Sequence, residues 1–323
     1  MRLPHLLLDS QYFMFSSVTE LSAALGDLVA SAEIAEVERL ASLGLPPVSS
    51  RSVLATMLGI NPGLIWSFEY RPVKHYRVFT IPKGKRGRRE IIAPKVAIKV
   101  VQKWLSVQLQ RVYVPPKHVF GFVPGRSHIE AAQQHRLSRW IYSVDIKDFF
   151  PSTPLEIVAA AFQNIGYGEE ASQILARLCC YNGRLAQGAP SSPVISNLAF
   201  SGIDHALAEI SARFDVRLSR YADDIVFSGA RDVPEGLPEE VNNIFQGKPW
   251  TLSPEKTELN QLPHRLKVHG LLVHGNQVRL TKGYRNKLRA YAHLMRNGRI
   301  SEDDSRRVSG HLRYAQQIMD SSD

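Results

Sequence analysis

Two adjacent aspartates, Asp223 and Asp224, stand between two short apolar runs at residues 216–218 and 225–227. Apolar runs of this length around a short polar segment predict a β-hairpin with the aspartates at its turn. Carboxylates this close repel each other, and each raises the pKa of the other. A fold keeps such a pair when a cation lies between the charges, and a divalent metal ion meets that requirement.

A third carboxylate, Asp145, ends the alternating segment at residues 140–145, which predicts a strand. Three carboxylates on adjacent strands would make a site for two metal ions, the arrangement used for nucleotidyl transfer. The competing interpretation is that these aspartates cap turns or form salt bridges. The crowding of Asp223 and Asp224 favours the metal site.

The charge of the chain restricts its partners. Its 323 residues carry a formal net charge of +10, which favours a polyanionic partner, nucleic acid above all. With 44% apolar residues, the chain can bury a substantial core and form two or three subdomains.

Other features of the sequence indicate the compartment. The two cysteines, Cys179 and Cys180, are adjacent and have no metal-ligand spacing, so we expect buried thiols in a reducing compartment. The N-terminus is too weak for a secretory signal, and no apolar stretch reaches the ~20 residues of a membrane helix. We therefore expect a cytoplasmic protein with no membrane partner. The histidines, His269 among them, are scattered and predict no zinc site.

Hydrophobic periodicity predicts a mixture of helices and strands. Residues 1–70 are predicted to be helical, and residues 281–323 to be helical and strongly basic. The elements predicted between them are two strands at 77–82 and 90–93 around a basic turn, an amphipathic helix at 98–112, helices at 154–164 and 171–180, a loop at 183–193, one helix at 194–210, and a hairpin around Gly275–Asn276 within 268–280.

Three motifs follow one another along the chain. Residues 143–152 read SVDIKDFFPS, residues 187–198 read QGAPSSPVISNL, and residues 221–224 read YADD. Together they resemble the first catalytic motif, the nucleotide-pocket motif and the catalytic turn of reverse transcriptases, over roughly residues 70–315. Residues 54–60 and 75–83 are further similar to the start of the compact bacterial retron enzymes.

The resemblance implies an α+β right-hand polymerase fold with fingers, an antiparallel-sheet palm and a helical thumb. The implied regions are an N-terminal helical region at 1–70, fingers at 71–140, a palm with finger-like insertions at 141–267, and a basic thumb at 268–323. The implied activity is RNA-templated DNA synthesis from dNTP substrates with two Mg²⁺ ions.

The resemblance also implies roles for individual residues. Asp145, Asp223 and Asp224 would hold the two ions, with the backbone carbonyl of Ile146 as a further ligand. Lys256 resembles the late palm lysine proposed to protonate pyrophosphate, since a well-placed lysine is a plausible general acid. The alternative for Lys256 is an ordinary surface lysine.

Residues that would bind the nucleotide come from three segments. Lys83 and Arg89 would grip the triphosphate, because ammonium and guanidinium groups bind phosphate oxygens. Phe150 would be the steric gate that excludes a 2′-hydroxyl, with Phe149 beside it as a core residue. Gln187 and Gly188 would open the nucleotide pocket. The alternatives are a solvated basic turn, a core phenylalanine and an ordinary loop.

The predicted thumb carries cations around an apolar stripe. A helix with one apolar and one cationic face can pack on the palm and follow a phosphate backbone. The cations assigned to nucleic-acid binding are Arg285, Lys287, Arg289, Arg296 and Arg299. A solvated charged face is the alternative.

A retron-type enzyme would copy a structured non-coding RNA, prime at a 2′-hydroxyl within that RNA, and yield a branched RNA–DNA hybrid. It would associate with that product and with an effector protein in defence against phage. The sequence departs from the retron pattern twice: residues 130–135 read EAAQQH where Asn-Ala-x-x-His is usual, and residues 268–270 read VHG in place of Val-Thr-Gly. These departures leave open a group II intron-like or other defence-associated reverse transcriptase with different priming. A non-catalytic RNA-binding scaffold is the third alternative, and the three crowded carboxylates argue against it.

Overall fold

The computed structural model describes residues 5–82, 87–298 and 300–320. The helices in chain order are α1 (His5–Asp9), α2 (Val18–Leu25), α3 (Ser31–Ser42), α4 (Arg51–Leu58), α5 (Pro62–Tyr70), α6 (Val96–Val112), α7 (His128–Gln133), α8 (Leu155–Asn164), α9 (Glu169–Cys179), α10 (Ser192–Ala199), α11 (Ser201–Arg213), α12 (Leu237–Ile244), α13 (Lys282–Arg296) and α14 (Glu302–Asp320). The strands are β1 (Tyr76–Pro82), β2 (Arg88–Pro94), β3 (Trp140–Asp145), β4 (Cys180–Tyr181), β5 (Arg184–Leu185), β6 (Arg217–Tyr221), β7 (Asp224–Gly229), β8 (Glu258–Gln261), β9 (Lys267–Val268), β10 (Leu271–Leu272) and β11 (Arg279–Leu280).

The chain forms two compact units, each assembled from segments that are distant in sequence. The first contains Met1–Pro115 and Lys147–Gly202, and the second contains Pro116–Ile146 and Ile203–Asp323. None of the helices within the described residues is long and apolar enough to cross a membrane.

The first unit is mostly helical, as the periodicity predicts. Helix α6 buries its Ile98, Leu105 and Leu109 face in the core of this unit, because residues three and four apart share one face of a helix. Strands β1 and β2 form the expected antiparallel hairpin, with Pro82 paired to Arg88. The basic turn was predicted at residues 83–89. Residues 83–86 lie outside the described residues, and Arg88 and Arg89 belong to strand β2 rather than to the turn.

Two predictions in this unit were wrong. The segment at 183–193 is not all loop, because β5 pairs with β4 through a turn at Asn182 and Gly183, whose φ angles are 49° and 74°. Two consecutive positive φ angles are typical of a type I′ hairpin turn, and Asn-Gly is its strongest sequence signal. The helix predicted at 194–210 is interrupted between α10 and α11, where the buried ring of Phe200 packs edge-on against Phe149 at 5.3 Å.

The second unit is built on an antiparallel four-stranded sheet in the order β6-β7-β3-β8. Its central pair runs from Trp140 opposite Gly229 to Asp145 opposite Asp224. This sheet confirms the predicted strand at 140–145 and the predicted hairpin at the two aspartates.

A smaller three-stranded sheet, ordered β11-β10-β9, also belongs to the second unit. The hairpin expected around Gly275–Asn276 is the connection between β10 and β11. The prediction missed strand β9, which pairs with β10 through a turn at His269 and Gly270 with φ angles of 47° and 81°. This second pair of positive φ angles again fits a type I′ turn.

A buried histidine joins the two strands that flank the aspartate turn. The Nδ1 atom of His135 lies 2.7 Å from the Ser228 hydroxyl on β7, and its Nε2 atom lies 2.7 Å from the Ser219 hydroxyl on β6. Burial lowers the pKa of His135 to about 3, and the charges of His269 and Arg217 add to that effect. The imidazole is therefore neutral, and it donates one hydrogen bond and accepts the other.

We predict that His135 makes the protein less stable as the pH falls from about 6.5 towards 3. The unfolded chain takes up a proton at the ordinary histidine pKa while the folded chain does not, so the free energy of unfolding falls by about 1.4 kcal/mol per pH unit in this window. His135→Leu removes this dependence and, by leaving two buried hydroxyls unpaired, costs about 2–4 kcal/mol at pH 7.5. Urea unfolding at several pH values measures both effects, with exposed His264→Ala as the matched control. An unchanged pH slope in His135→Leu would contradict the prediction.

Candidate active site

The three aspartates meet at one end of the four-stranded sheet. Asp145 is the last residue of β3 and pairs with Asp224, the first residue of β7. Asp223 lies in the turn before β7, and its backbone carbonyl accepts a hydrogen bond from the Ile146 amide at 3.0 Å. The register of β3 against β7 thus brings together the three side chains that the sequence singled out.

The turn that carries Asp223 is conformationally strained. Only two residues, Ala222 and Asp223, connect the paired residues Tyr221 and Asp224. Ala222 has a φ of 58°, a left-handed conformation that costs a non-glycine residue roughly 1–2 kcal/mol. A positive φ at only the first central residue is typical of a type II′ turn, which suits the twist of a hairpin.

A buried ion pair supports this turn from below. The guanidinium of Arg220 donates two hydrogen bonds of 2.6 Å to the carboxylate of Asp204, and both side chains are fully buried. The same guanidinium donates to the Ala222 carbonyl at 3.0 Å. Burial opposes ionisation of Asp204, but Arg220 and His118 outweigh it and hold the pKa of Asp204 below its usual value. The strained turn is therefore tied to a fixed charge pair.

A glycine allows another segment to approach the same turn. A Cβ atom added to Gly121 would lie 2.0 Å from the backbone nitrogen of Ala222. The amides of Phe120 and Gly121 donate to the Arg220 carbonyl at 2.8 and 3.4 Å. Only glycine can occupy position 121 without displacing the turn.

The carboxyls influence each other strongly. Burial raises the pKa of Asp145, and the Asp224 charge adds to the rise while Lys256 opposes it. Burial raises the pKa of Asp223 as well, with the charges of Asp224 and Asp145 adding to it. Burial would also raise the pKa of Asp224, but contacts with His269, Asp145 and Lys256 outweigh it and lower that pKa. The cluster is an anionic site that a cation would stabilise.

Lys256 lies inside this cluster rather than on the open surface. Its ammonium group forms an ion pair with the Oδ1 atom of Asp145, and the Ser253 hydroxyl donates to the same oxygen at 3.3 Å. The 3₁₀ turn Pro254–Lys256, which follows Ser253, positions the lysine. Lys256 is thus partly exposed and paired with Asp145, and its role in catalysis stays a prediction.

The side chains of Asp145, Asp223 and Asp224 are chemically suitable ligands for a divalent cation. Carboxylate oxygens are the ligands that Mg²⁺ prefers, and three of them converge here. They do not form a finished cage, because no group of three or more His, Cys, Asp or Glu side chains within 5–82, 87–298 and 300–320 is arranged to hold a metal ion. The Lys256 ammonium supplies the positive charge beside Asp145 in this arrangement.

Arg89, Gln187 and Gly188 all belong to the first unit. Arg89 is exposed on β2, and further along the same strand the Ile92 amide donates to the Gln187 carbonyl at 2.8 Å. Gly188 has a φ of 126°, and a Cβ atom there would lie 3.0 Å from the Ile91 side chain. The 187–188 loop is thus held against strand β2. Lys83 lies outside the described residues.

The two phenylalanines of the first motif differ in burial, as predicted. Phe149 is buried, whereas Phe150 is only partly buried and packs at the edge of the core of the first unit. Their rings are stacked at a centroid separation of 5.7 Å. Phe150 is therefore the more accessible of the two residues.

Four of the five cations assigned to the thumb are on helix α13. This helix has no fully buried residue, and Tyr284 and Leu288 are the positions that pack against the core of the second unit. Four of the cations are exposed on it: Arg285, Lys287, Arg289 and Arg296. Arg299 lies outside the described residues.

Sequence reasoning missed three side chains around the aspartates: Asp204, Arg220 and His269. An arginine inside a strand, directly before the turn, was a signal that Arg220 needs a buried partner. The position of Asp204 within a helix carried no comparable signal. His269 lies 3.7 Å from Asp224, and nothing local in the sequence connects the two.

Comparison with known families supports the assignment of the site. Residues 81–274 match the family model described as reverse transcriptase (RNA-dependent DNA polymerase). The Retron Mx65 reverse transcriptase of Myxococcus xanthus is 30% identical over 305 residues, covering 87% of this chain and 71% of the relative. The Retron Ec86 reverse transcriptase of Escherichia coli is 27% identical over 276 residues, covering 84% of this chain and 86% of the relative.

Two solved structures align with the chain at much lower sequence identity. A foamy viral protease-reverse transcriptase in complex with double-stranded DNA has a TM-score of 0.44 at 15% identity, covering 75% of this chain and 36% of the viral chain. Telomerase from Candida albicans has a TM-score of 0.43 at 10% identity, covering 72% of this chain and 55% of the telomerase chain. This chain thus spans about a third to a half of those longer chains.

The antiparallel sheet with its aspartate turn and the family match together define the class: an α+β nucleic-acid polymerase with the right-hand fold. Within that class, the chain belongs to the reverse transcriptase family, to its bacterial retron type, whose activity is RNA-directed DNA polymerisation.

We predict that Arg220→Met destabilises the protein by about 3–5 kcal/mol, because the buried Asp204 carboxylate loses its guanidinium partner and keeps only His118 beside it. The double variant Asp204→Leu/Arg220→Met should recover most of this stability. It should still incorporate dNTPs roughly 10- to 100-fold more slowly, because the Ala222 carbonyl loses its donor and the turn shifts. Urea unfolding and primer extension measure the two effects, with exposed Arg231→Met as the matched control. Full activity in the double variant would refute the role of Arg220 in holding the turn.

Proposed function

We propose that Asp145, Asp223 and Asp224 bind two Mg²⁺ ions and that this site adds dNTPs to a growing DNA strand. The observation that carries the proposal is the pairing of Asp145 with Asp224, which joins the turn and the first motif in one anionic cluster. The bound ions would supply charge stabilisation for the attacking and leaving oxygens. The Ile146 backbone carbonyl is proposed as a further ligand.

Lys256 has two proposed tasks in this reaction. Its ammonium group pairs with Asp145 and opposes the rise in the pKa of that carboxyl that burial causes. The same group can donate a proton to the leaving pyrophosphate, since a lysine close to the reacting phosphates is a suitable general acid.

The nucleotide-binding residues are proposed on the family motifs and on their local geometry. Lys83 and Arg89 would bind the triphosphate, and Gln187 and Gly188 would border the pocket. Phe150 would stack under the sugar and exclude ribonucleotides. The partial exposure of Phe150 and the close approach of Gly188 to β2 support these roles.

We propose the four regions expected from the resemblance as the functional division of the chain. The β1–β2 hairpin falls within the fingers at 71–140, and β6, β7 and β8 fall within the palm at 141–267. Helices α13 and α14 fall within the thumb at 268–323. Arg285, Lys287, Arg289, Arg296 and Arg299 of this thumb would follow the phosphate backbone of the template and product.

We predict that Asp223→Asn reduces dNTP incorporation to the background of a reaction without enzyme, because an amide cannot replace an anionic metal ligand. Binding of the same template and primer should stay close to that of the parent. Primer extension on poly(rA)·oligo(dT) and a gel-shift assay with this duplex provide the two readouts. Asp232→Asn, an exposed aspartate on the loop after β7, is the matched control. Incorporation by Asp223→Asn at the parental rate would exclude the proposed site, and loss of both readouts would indicate misfolding.

For the biological product, we propose the retron reaction in full. The enzyme would copy a structured non-coding RNA, prime at a 2′-hydroxyl in that RNA and make a branched RNA–DNA hybrid. It would then join the hybrid and an effector protein in anti-phage defence in the cytoplasm. Similarity to two curated retron enzymes supports this proposal, and the buried free thiols of Cys179 and Cys180 fit a reducing compartment.

The rival is a reverse transcriptase that primes in another way. The observation that favours it is the Val268-His269-Gly270 segment, which departs from the retron pattern within a tight turn of the structure. Such an enzyme would use an ordinary 3′-hydroxyl or a protein group as primer.

We predict that nucleic acid isolated from cells that express the chain with its neighbouring genomic sequence contains a 2′,5′ linkage between RNA and DNA. Treatment with a 2′,5′-debranching enzyme should release a DNA strand and change its mobility on a denaturing gel. Cells that express Asp223→Asn should contain no such DNA and serve as the control. Linear DNA that debranching leaves unchanged would favour the rival.

A further inference from the structure

A histidine outside the predicted site lies next to one of its carboxylates. The Nδ1 atom of His269 is 3.7 Å from the Oδ2 atom of Asp224. The histidine side chain is only 9% exposed, whereas that of Asp224 is 51% exposed. A buried nitrogen thus faces the most accessible carboxylate of the cluster.

The backbone fixes the direction of this histidine. His269 is the first residue of the tight turn between β9 and β10, and its φ of 47° is one that few side chains adopt. On either side of the turn, Val268 and Leu271 pair with each other and are buried in the core of the second unit. The ring therefore projects from a rigid hairpin.

Aromatic side chains hold the ring from its other side. The Tyr221 ring, which precedes the aspartate turn, lies 5.2 Å from the His269 ring. Tyr221 in turn contacts the His128 ring at 6.1 Å, and the Nε2 atom of His128 lies 2.9 Å from the Tyr314 hydroxyl. Successive contacts of this kind limit the rotation of the histidine.

The hydrogen-bonding inventory of the ring indicates its tautomer. The Nε2 atom of His269 is buried and has no hydrogen-bond partner among the residues that the structure describes. A neutral imidazole carries one N–H group, and a proton on Nδ1 directs that donor towards Asp224. In this tautomer Nε2 carries only a lone pair. The alternative tautomer would place an N–H group at Nε2, where no acceptor is in reach.

We propose that His269 is a positioning residue for metal binding, one that orients the Asp224 carboxylate towards Asp145 and Asp223. The separation of 3.7 Å exceeds a hydrogen bond, and a small rotation of the exposed carboxylate would close it. His269 differs from Lys256 in its geometry: an imidazole on a tight turn faces Asp224 across 3.7 Å, whereas the Lys256 ammonium group forms an ion pair with Asp145. The inference rests on the proposed metal-binding role of Asp224.

The test compares variants that remove or retain the donor. His269→Gly and His269→Ala remove it, and Gly also accepts the positive φ. His269→Asn retains an N–H donor near the Nδ1 position and tolerates this φ better than most residues. His274→Ala, an exposed histidine of the same small sheet region, is the matched control. Melting temperatures show which variants are folded.

We predict that both donor-removing variants bind Mn²⁺ about 10-fold more weakly than the parent, as the loss of an outer partner of a metal ligand typically does. Electron paramagnetic resonance of free Mn²⁺ measures this with full-length protein and no nucleotide. The Mg²⁺ concentration for half-maximal primer extension should rise in parallel, while the KM for poly(rA)·oligo(dT) stays unchanged. His269→Asn should bind Mn²⁺ nearly as tightly as the parent, and His274→Ala should match it.

Two results would overturn the proposal: parental Mn²⁺ affinity in a folded His269→Gly or His269→Ala variant, or a folded His269→Asn variant that is as weak as His269→Ala. If either occurs while Asp223→Asn is inactive and the parent binds Mn²⁺, only the positioning role is wrong. If the parent itself binds no Mn²⁺ and Asp223→Asn still extends primers, the proposed metal site is wrong as well, and the role of His269 falls with it.

Discussion

The antiparallel pairing of β3 with β7 sets Asp145 opposite Asp224, and every feature of the site depends on that register. A shift by one residue would turn Asp145 to the other face of the sheet, because side chains alternate along a strand. At the far end of the same pair, the Trp140 ring covers Gly229, where a Cβ atom would lie only 2.8 Å from the ring. Packing of Trp140 on Gly229 fixes the register at one end of the strand pair, and this register places Asp145 opposite Asp224 at the other end.

Crowded carboxylates need support, and this fold provides it in two different ways. The Lys256 ammonium neutralises Asp145 directly. Beneath the turn, the buried Arg220 guanidinium holds the Ala222 carbonyl and is itself anchored by a carboxylate. A buried pair of this kind contributes little net stability, because desolvation of the charges offsets their attraction. Its contribution here is to hold a strained backbone conformation in one place.

The departures from the retron pattern fall at positions that the structure explains. The first element keeps its alanine and its histidine, and the histidine, His135, joins β6 to β7 through two serines. Ala131, at the asparagine position, is buried on α7. His269, at the threonine position of the second element, lies beside Asp224. Both elements therefore border the strands that carry the aspartates, and a change in either can alter the site without changing its carboxylates.

Local patterns in the sequence were sufficient to predict most helices, the strand that ends at Asp145 and the hairpin at Asp223 and Asp224. The reason is that apolar residues recur every 3.6 residues in a helix with one buried face and every 2 residues in a strand. The order β6-β7-β3-β8, the break at Phe200, and the meeting of Asp204 with Arg220 and of His269 with Asp224 were decided only by the tertiary structure. Strands and side chains that are far apart in sequence come together because the whole chain must bury its apolar faces at once. No local pattern records which distant partner each of them will find.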